Sequence, residues 1–237
     1  QEEDDRYVLT GSLRGVAIPS TLHDSLLARL DRLAVVKDVA QAGAAIGREF
    51  AYGTLAALLP LLSGMVQYES ALANRGWAVT DPAIGEYGTN YQLRAAVALI
   101  GPWANIPDEA VYSAGLLDKY LLPLNGSHDY VMHFAPGQQP PAGAFWSVTV
   151  YDPSGQFVRN PLNRYSVSSS RPDELVRRSD GSVDIVFSQQ DPADPGVNWL
   201  PVPGGEFSAY LRVYVPGDAV LDGNWTPPPI EPLVIRR

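Results

Sequence analysis

The chain contains no cysteine, only three histidines, no long apolar run and no block of basic residues. Each of these absences removes a class of function. Without cysteine there is no disulfide, no thiolate nucleophile and no Cys-based zinc or iron–sulfur site. The histidines are His23, His128 and His133, the first in a different compositional region from the others, so a three-histidine metal site on neighbouring strands is excluded and no metal is expected. H-E-x-x-H, G-x-S-x-G, S-x-x-K and G-x-x-x-x-G-K-[ST] are all missing, which removes the common zincin, α/β-hydrolase, β-lactamase and P-loop signatures. No cofactor is expected. No segment approaches the length of apolar sequence that spans a bilayer; the run from Leu55 to Leu62 is helix-core length. With 26 acidic against 17 basic residues the formal charge is -9, which would repel a phosphate backbone, so nucleic acid is not an expected partner.

What the 237 residues do contain is enough apolar sequence, 46%, to fill a sizeable core. Two textures meet near Leu62. Before it, Thr21 and Asp24 form a capping-box pattern ahead of Leu22, Leu26, Leu30 and Leu33, which recur on one helical face. A second helix is expected over Val36 to Ile46 and a third around Leu55 to Leu62. Residues 1–62 are therefore predicted to be a helical segment and 63–76 a helical connection ended by Gly76, with a sandwich over 77–237. The apolar face of Leu22 to Leu33 needs a partner, either the rest of the chain or a second copy, so a homo-oligomer through these helices is one expectation.

After Gly76 the sequence breaks into short β-rich runs. Tyr130 to Phe134, Phe145 to Tyr151, Val183 to Phe187 and Ala209 to Val215 are the best strands, with one more helix over Tyr91 to Ile100 before Gly101-Pro102. Asn125-Gly126, Pro136-Gly137, Pro153-Ser154-Gly155, Asp180-Gly181 and Pro203-Gly204-Gly205 supply the turns. No helical crossover between these strands is long enough for an α/β sheet, so the expected class is mainly β, an antiparallel jelly-roll-like sandwich with N-terminal helices.

Several groups carry chemical potential. His133 sits opposite Met132 and Phe134 on its strand, as either a hydrogen-bonded structural residue or a catalytic base. His128, in the turn-like stretch around Asn125-Gly126, reads as solvent-exposed. Ser147, Thr149 and Tyr151 share one strand face, and Tyr210, Arg212 and Tyr214 another; if these adjoin they form a polar, aromatic surface suited to sugars. One reading of Arg164 is a bidentate clamp on a carboxylate, with Tyr165 and Trp199 of the Asn198-Trp199 motif stacking against a ligand; the alternative is that these polar motifs satisfy backbone carbonyls. Asp152, Asp184, Asp191 and Glu206 are possible members of a glycosidase-like pair whose separation sequence cannot supply.

Ordered motifs also carry a resemblance. Gly88-Thr89-Asn90-Tyr91, Tyr130-Val131-Met132-His133-Phe134, Phe145-Trp146-Ser147-Val148, Asn160-Pro161-Leu162-Asn163-Arg164-Tyr165, Asn198-Trp199-Leu200-Pro201 and Leu221-Asp222-Gly223-Asn224-Trp225 follow one another as in the bacterial domain-of-unknown-function families 1254 and 1214, which this region resembles. That resemblance implies a jelly-roll-like sandwich from longer secreted or envelope proteins, with no settled activity. The opening, Ala17-Ile18-Pro19-Ser20-Thr21-Leu22 through Ile46-Gly47-Arg48-Glu49-Phe50, resembles the segment that follows the ATPase module of adenylate-cyclase-associated signalling ATPases. The chain opens at Gln1 without a charged-then-apolar leader, so it reads as cytoplasmic as written, against the envelope implied by the first resemblance.

Three functional expectations follow. The first is binding of a small polar or saccharide ligand through Tyr151, Arg164, Tyr165, Asn198, Trp199 and Arg212. The second is hydrolysis of an ester or glycoside with His133 as base. The third is a protein-interaction or dimerisation module built on the N-terminal helices.

Overall fold

The computed structural model describes residues 64–101 and 104–233. The chain divides into two compact units, Gln1–Ala57 and Leu58–Arg237, and the described residues belong to the second. The helices expected over 21–33, 36–46 and 55–62 lie outside the described residues, as does His23, and with them the dimerisation expectation. Among the described residues no helix is long and apolar enough to cross a membrane.

A helix over residues 64–73 (α1) ends in the turn 74–76. Then follow β1 (Trp77–Val79), α2 (Tyr91–Ile100), β2 (Ala110–Gly115), β3 (Tyr130–Phe134), β4 (Ala142–Tyr151), β5 (Ser166–Ser168), β6 (Val183–Ser188), β7 (Asn198–Pro201), β8 (Ser208–Pro216), the short α3 (Asp218–Leu221) and β9 (Ile230–Pro232). The strands form a five-stranded sheet ordered β1-β2-β8-β4-β5 and a four-stranded sheet ordered β7-β6-β3-β9. The chain changes sheet between β2 and β3, β3 and β4, β5 and β6, β7 and β8, and β8 and β9. The expected mainly-β sandwich is the architecture observed.

Alternation decides which side chains face inward. On β4, Trp146, Val148 and Val150 enter the core, and on β8 Ala209, Leu211 and Val213 do the same, leaving the intervening residues on the outer face. From the other sheet come Tyr130, Met132 and Phe134 of β3 and Val183, Ile185 and Phe187 of β6. Phe134 and Trp146 meet across the two sheets with ring centroids 5.2 Å apart. Trp77 of β1 is buried in the same core, and its indole N–H donates to the Pro228 carbonyl at 2.9 Å, tying β1 to the chain that leads into β9.

Two features depart from expectation. The pairing is not wholly antiparallel, because β7 runs parallel to β6, with Ile185 opposite Asn198 and Phe187 opposite Leu200. The Asn198-Trp199 motif is therefore the start of a strand whose Asn198, Leu200 and Pro201 are buried. Its four residues end in proline, so neither length nor alternation marks it as a strand. The helix over Tyr91–Ile100 falls where it was expected, with the Asn90 side chain accepting from the Leu93 amide at 3.1 Å as an N-cap.

Gly76 fixes the passage from α1 to β1. Its φ is +94°, and a Cβ there would stand 2.2 Å from the Leu117 carbonyl oxygen, so only glycine lets the two backbones approach this closely. The Gly76 carbonyl accepts from Leu116 and Leu117, and α1 is held so that Ala71 packs with Ala78, Ala114 and Leu117 on the outer side of the five-stranded sheet.

Candidate functional site: the outer face of the five-stranded sheet

The candidate site grows from the register of β2, β8 and β4. Arg212 on the central strand β8 lies opposite Tyr112 on one side and Ser147 on the other, and Tyr210 lies between Ala114 and Thr149. The two polar faces foreseen from alternation therefore adjoin. Small residues on β2 leave room for α1 to cross the sheet, where Leu116 and Tyr210 pack against its alanine cluster.

Arg212 organises the aromatic residues. Its Nη2 donates to the Tyr151 hydroxyl at 2.9 Å, and its guanidinium carbon lies 5.5 Å and 5.6 Å from the ring centroids of Tyr151 and Tyr210. Those rings meet edge to face at 5.3 Å. Phe157 stacks on the other side of Tyr151 at 5.3 Å, and Tyr165 lies 5.4 Å beyond Phe157, giving a continuous run of rings from Tyr165 to Tyr210. The turn between Tyr151 and Phe157 makes this stack possible. One Asp152 carboxylate oxygen accepts from the Ser154 hydroxyl, the Ser154 amide and the Gln156 amide, which folds the chain back so that Phe157 bridges to Tyr151.

Electrostatics follow from these contacts. The Ser154 hydroxyl bond, reinforced by the Gln156 and Ser154 amides, holds the Asp152 carboxyl below its ordinary value of 3.8, so it is ionised at neutral pH. Burial pushes the Tyr210 phenol above 10.0 despite the nearby Arg212 charge, so it stays protonated and available as a donor. Between α1, the Asp152 turn and β8 opens a cleft of about 500 Å³, lined by Gln67, Leu116, Tyr151, Asp152, Glu206, Phe207, Ser208, Tyr210 and Arg212 among others. Its volume falls in the range of about 300–1,000 Å³ typical of small-molecule sites.

The other residues singled out from the sequence lie elsewhere. Arg164 donates from Nη1 to the Trp199 carbonyl at 3.2 Å, where the edge strands β5 and β7 face each other across the sandwich. The space beside it, lined by Arg164, Ser166, Arg171 and Asn198, amounts to about 20 Å³. That is room for one water and not for a sugar. Asn198 is buried with its amide spent on backbone: Oδ1 accepts from the Val176 amide, and Nδ2 donates to the carbonyls of Val176 and Asp184. Trp199 donates its indole N–H to the Ser188 carbonyl at 3.1 Å. Asn160 likewise closes its own loop, accepting from the Leu162 and Arg164 amides and donating to the Val158 and Arg164 carbonyls.

His133 lies on the outer face of the other sheet. Its Nδ1 is 2.5 Å from Asp184 Oδ1, and the second Asp184 oxygen accepts from Arg178 Nε at 2.5 Å. The Asp184 side chain is only 10% exposed, whereas those of His133 and Arg178 are 53% and 42% exposed, so one buried carboxylate anchors two surface cations or donors. The hydrogen bond to Asp184 raises the Arg178 pKa further above its ordinary value. Among the described residues no group of three His, Asp or Glu side chains is arranged to hold a metal ion.

Tyr151 and Arg212, with Tyr165 at the end of the ring run, are thus brought together. Arg164, Asn198 and Trp199 form a second place and His133 a third. Phe157 and Gln67 were not foreseen. The Pro153-Ser154-Gly155 turn was the available signal for Phe157, since a tight hairpin returns the chain onto the residue before it.

Residues 109–218 match the model of the family described as a protein of unknown function, DUF1214, and this part of the chain is similar to that family. The crystal structure of the VPA0106 protein from Vibrio parahaemolyticus is similar at 29% identity and a TM-score of 0.52, over 79% of this chain and 47% of that one. The chain thus spans about half the length of that protein. An uncharacterized protein from Burkholderia cenocepacia is similar at 15% identity with a TM-score of 0.38, over 56% of this chain and 31% of that one. No curated protein matches the chain.

Proposed function

We propose that this chain binds a small polar, carbohydrate-like ligand in the cleft on the outer face of its five-stranded sheet, with Tyr151, Tyr210 and Arg212 as the main contacts. The observation that carries this reading is the combination of a 500 Å³ cleft with aromatic rings and a half-buried guanidinium inside it. The Tyr151 and Tyr210 hydroxyls offer hydrogen-bonding groups, and Gln67, Asp152 and Glu206 offer acceptors for hydroxyl groups. Calorimetry of the full chain against a saccharide panel tests it: binding that weakens in Arg212→Gln and Tyr151→Ala supports the reading, and no binding to any saccharide overturns it.

A second reading, hydrolysis with His133 as base, draws on the short His133–Asp184 hydrogen bond, since a carboxylate behind an imidazole orients it for proton transfer. It predicts that His133→Ala abolishes turnover of an ester or glycoside without lowering thermal stability. Loss of stability in step with activity, or no turnover in the parent chain, removes it.

A further inference from the structure

We propose that the ligand of the outer-face cleft is an acidic saccharide, whose ring carboxylate is held by the outer edge of Arg212; this rests on the carbohydrate reading above. A guanidinium carries five N–H donors in one plane. In Arg212 one bond goes sideways to the Tyr151 hydroxyl, and Tyr151 and Tyr210 lie within cation–π range. Such a fork, pre-oriented by aromatic neighbours, fits a carboxylate through two parallel hydrogen bonds better than it fits a lone hydroxyl.

The pairing of Arg212 points the same way. Among the described residues no carboxylate lies within ion-pair distance of Arg212, although acidic residues outnumber basic ones 26 to 17 in the chain. A guanidinium drawn partly out of water without a counter-charge is what an anionic ligand stabilises. The cleft lining also selects the anion: Arg212 is its cation, while Asp152 and Glu206 contribute negative charge. A singly charged carboxylate can sit on Arg212 with the rest of the sugar's hydroxyls turned toward those acceptors. A phosphate dianion would meet more repulsion than one arginine offsets.

The test is calorimetry of the full chain with the methyl glycosides of galacturonic, glucuronic and mannuronic acid, which carry one carboxylate each, every one beside its neutral methyl ester, and with glucose 6-phosphate. The proposal predicts that at least one free acid binds about tenfold or more tightly than its ester, and that Arg212→Gln reduces the two to similar affinity while Arg212→Lys keeps part of the difference. The acid–ester comparison needs no variant, so a folding defect in Arg212→Gln does not remove the test. Equal binding of acid and ester overturns the acidic-ligand proposal and leaves the carbohydrate reading intact. Tighter binding of glucose 6-phosphate overturns the carboxylate assignment. No binding to any of these sugars, or to a neutral panel, overturns both.

Discussion

Replacing Gly76 by alanine should cost the fold a large part of its stability, and the cost can be built up from the local geometry. At φ +94° a residue with a Cβ is strained by about 1–3 kcal/mol. The new Cβ would also sit 2.2 Å from the Leu117 carbonyl oxygen and 2.9 Å from its carbonyl carbon, so the backbone at Leu117 must retreat. Retreat weakens the hydrogen bonds from Leu116 and Leu117 to the Gly76 carbonyl, now 2.9 and 3.1 Å long, at about 0.5–1.5 kcal/mol each. The sum is about 2–6 kcal/mol, against a typical domain stability of about 5–15 kcal/mol. Urea unfolding followed by tryptophan fluorescence measures it, since Trp77 is the next residue and is buried. Gly76→Asn separates the two causes: asparagine tolerates positive φ but carries the same Cβ, so it should be nearly as harmful. An alanine variant as stable as the parent, or more stable, would refute the reasoning. Because α1 hangs from this junction and carries Gln67 into the cleft, ligand affinity should fall as well.

Other expectations follow from the same contacts. Asp184→Asn removes the carboxylate shared by His133 and Arg178 and should cost about 1–3 kcal/mol in chemical denaturation, while His133→Ala, with its ring half exposed, should cost under about 1 kcal/mol. Tyr151→Phe keeps the stack on Phe157 but deletes the acceptor of Arg212, so it should change stability by no more than about 1.5 kcal/mol while weakening ligand binding by calorimetry about tenfold. Asp152 has a folded-state pKa below its unfolded one, so the turn it holds is fully supported above the ordinary carboxylate range and loosens as pH falls through the depressed value. Carboxyl NMR titration should give a midpoint below 3.8; a midpoint at or above it would contradict the hydrogen bonding described.

Much of the sandwich was legible because its long strands alternate. In Phe145 to Tyr151 and Ala209 to Val213 the apolar core residues fall at every second position, so both their existence and their outward polar faces could be read locally. β2 escaped because Ala110, Ala114 and Gly115 are too small to mark either face, and β7 because four residues ending in proline carry no period. The pairing that joins the faces of Arg212 and Tyr151 is non-local, and only register supplies it. Asn198 shows the converse limit. A buried asparagine spent on backbone carbonyls and an exposed one poised for a ligand are the same letter, and only the contacts at Val176 and Asp184 tell them apart.

The claim that the ligand occupies the cleft over β8, and not the edge near Arg164, is tested most directly by amide NMR shift mapping of the full chain during saccharide titration. The account predicts that the perturbed amides cluster at Tyr151, Asp152, Tyr210, Arg212 and the Gln67 turn of α1, with Arg164, Asn198 and His133 unmoved. Shifts centred on Arg164, Asn198 and Trp199, or on His133 and Asp184, would contradict it.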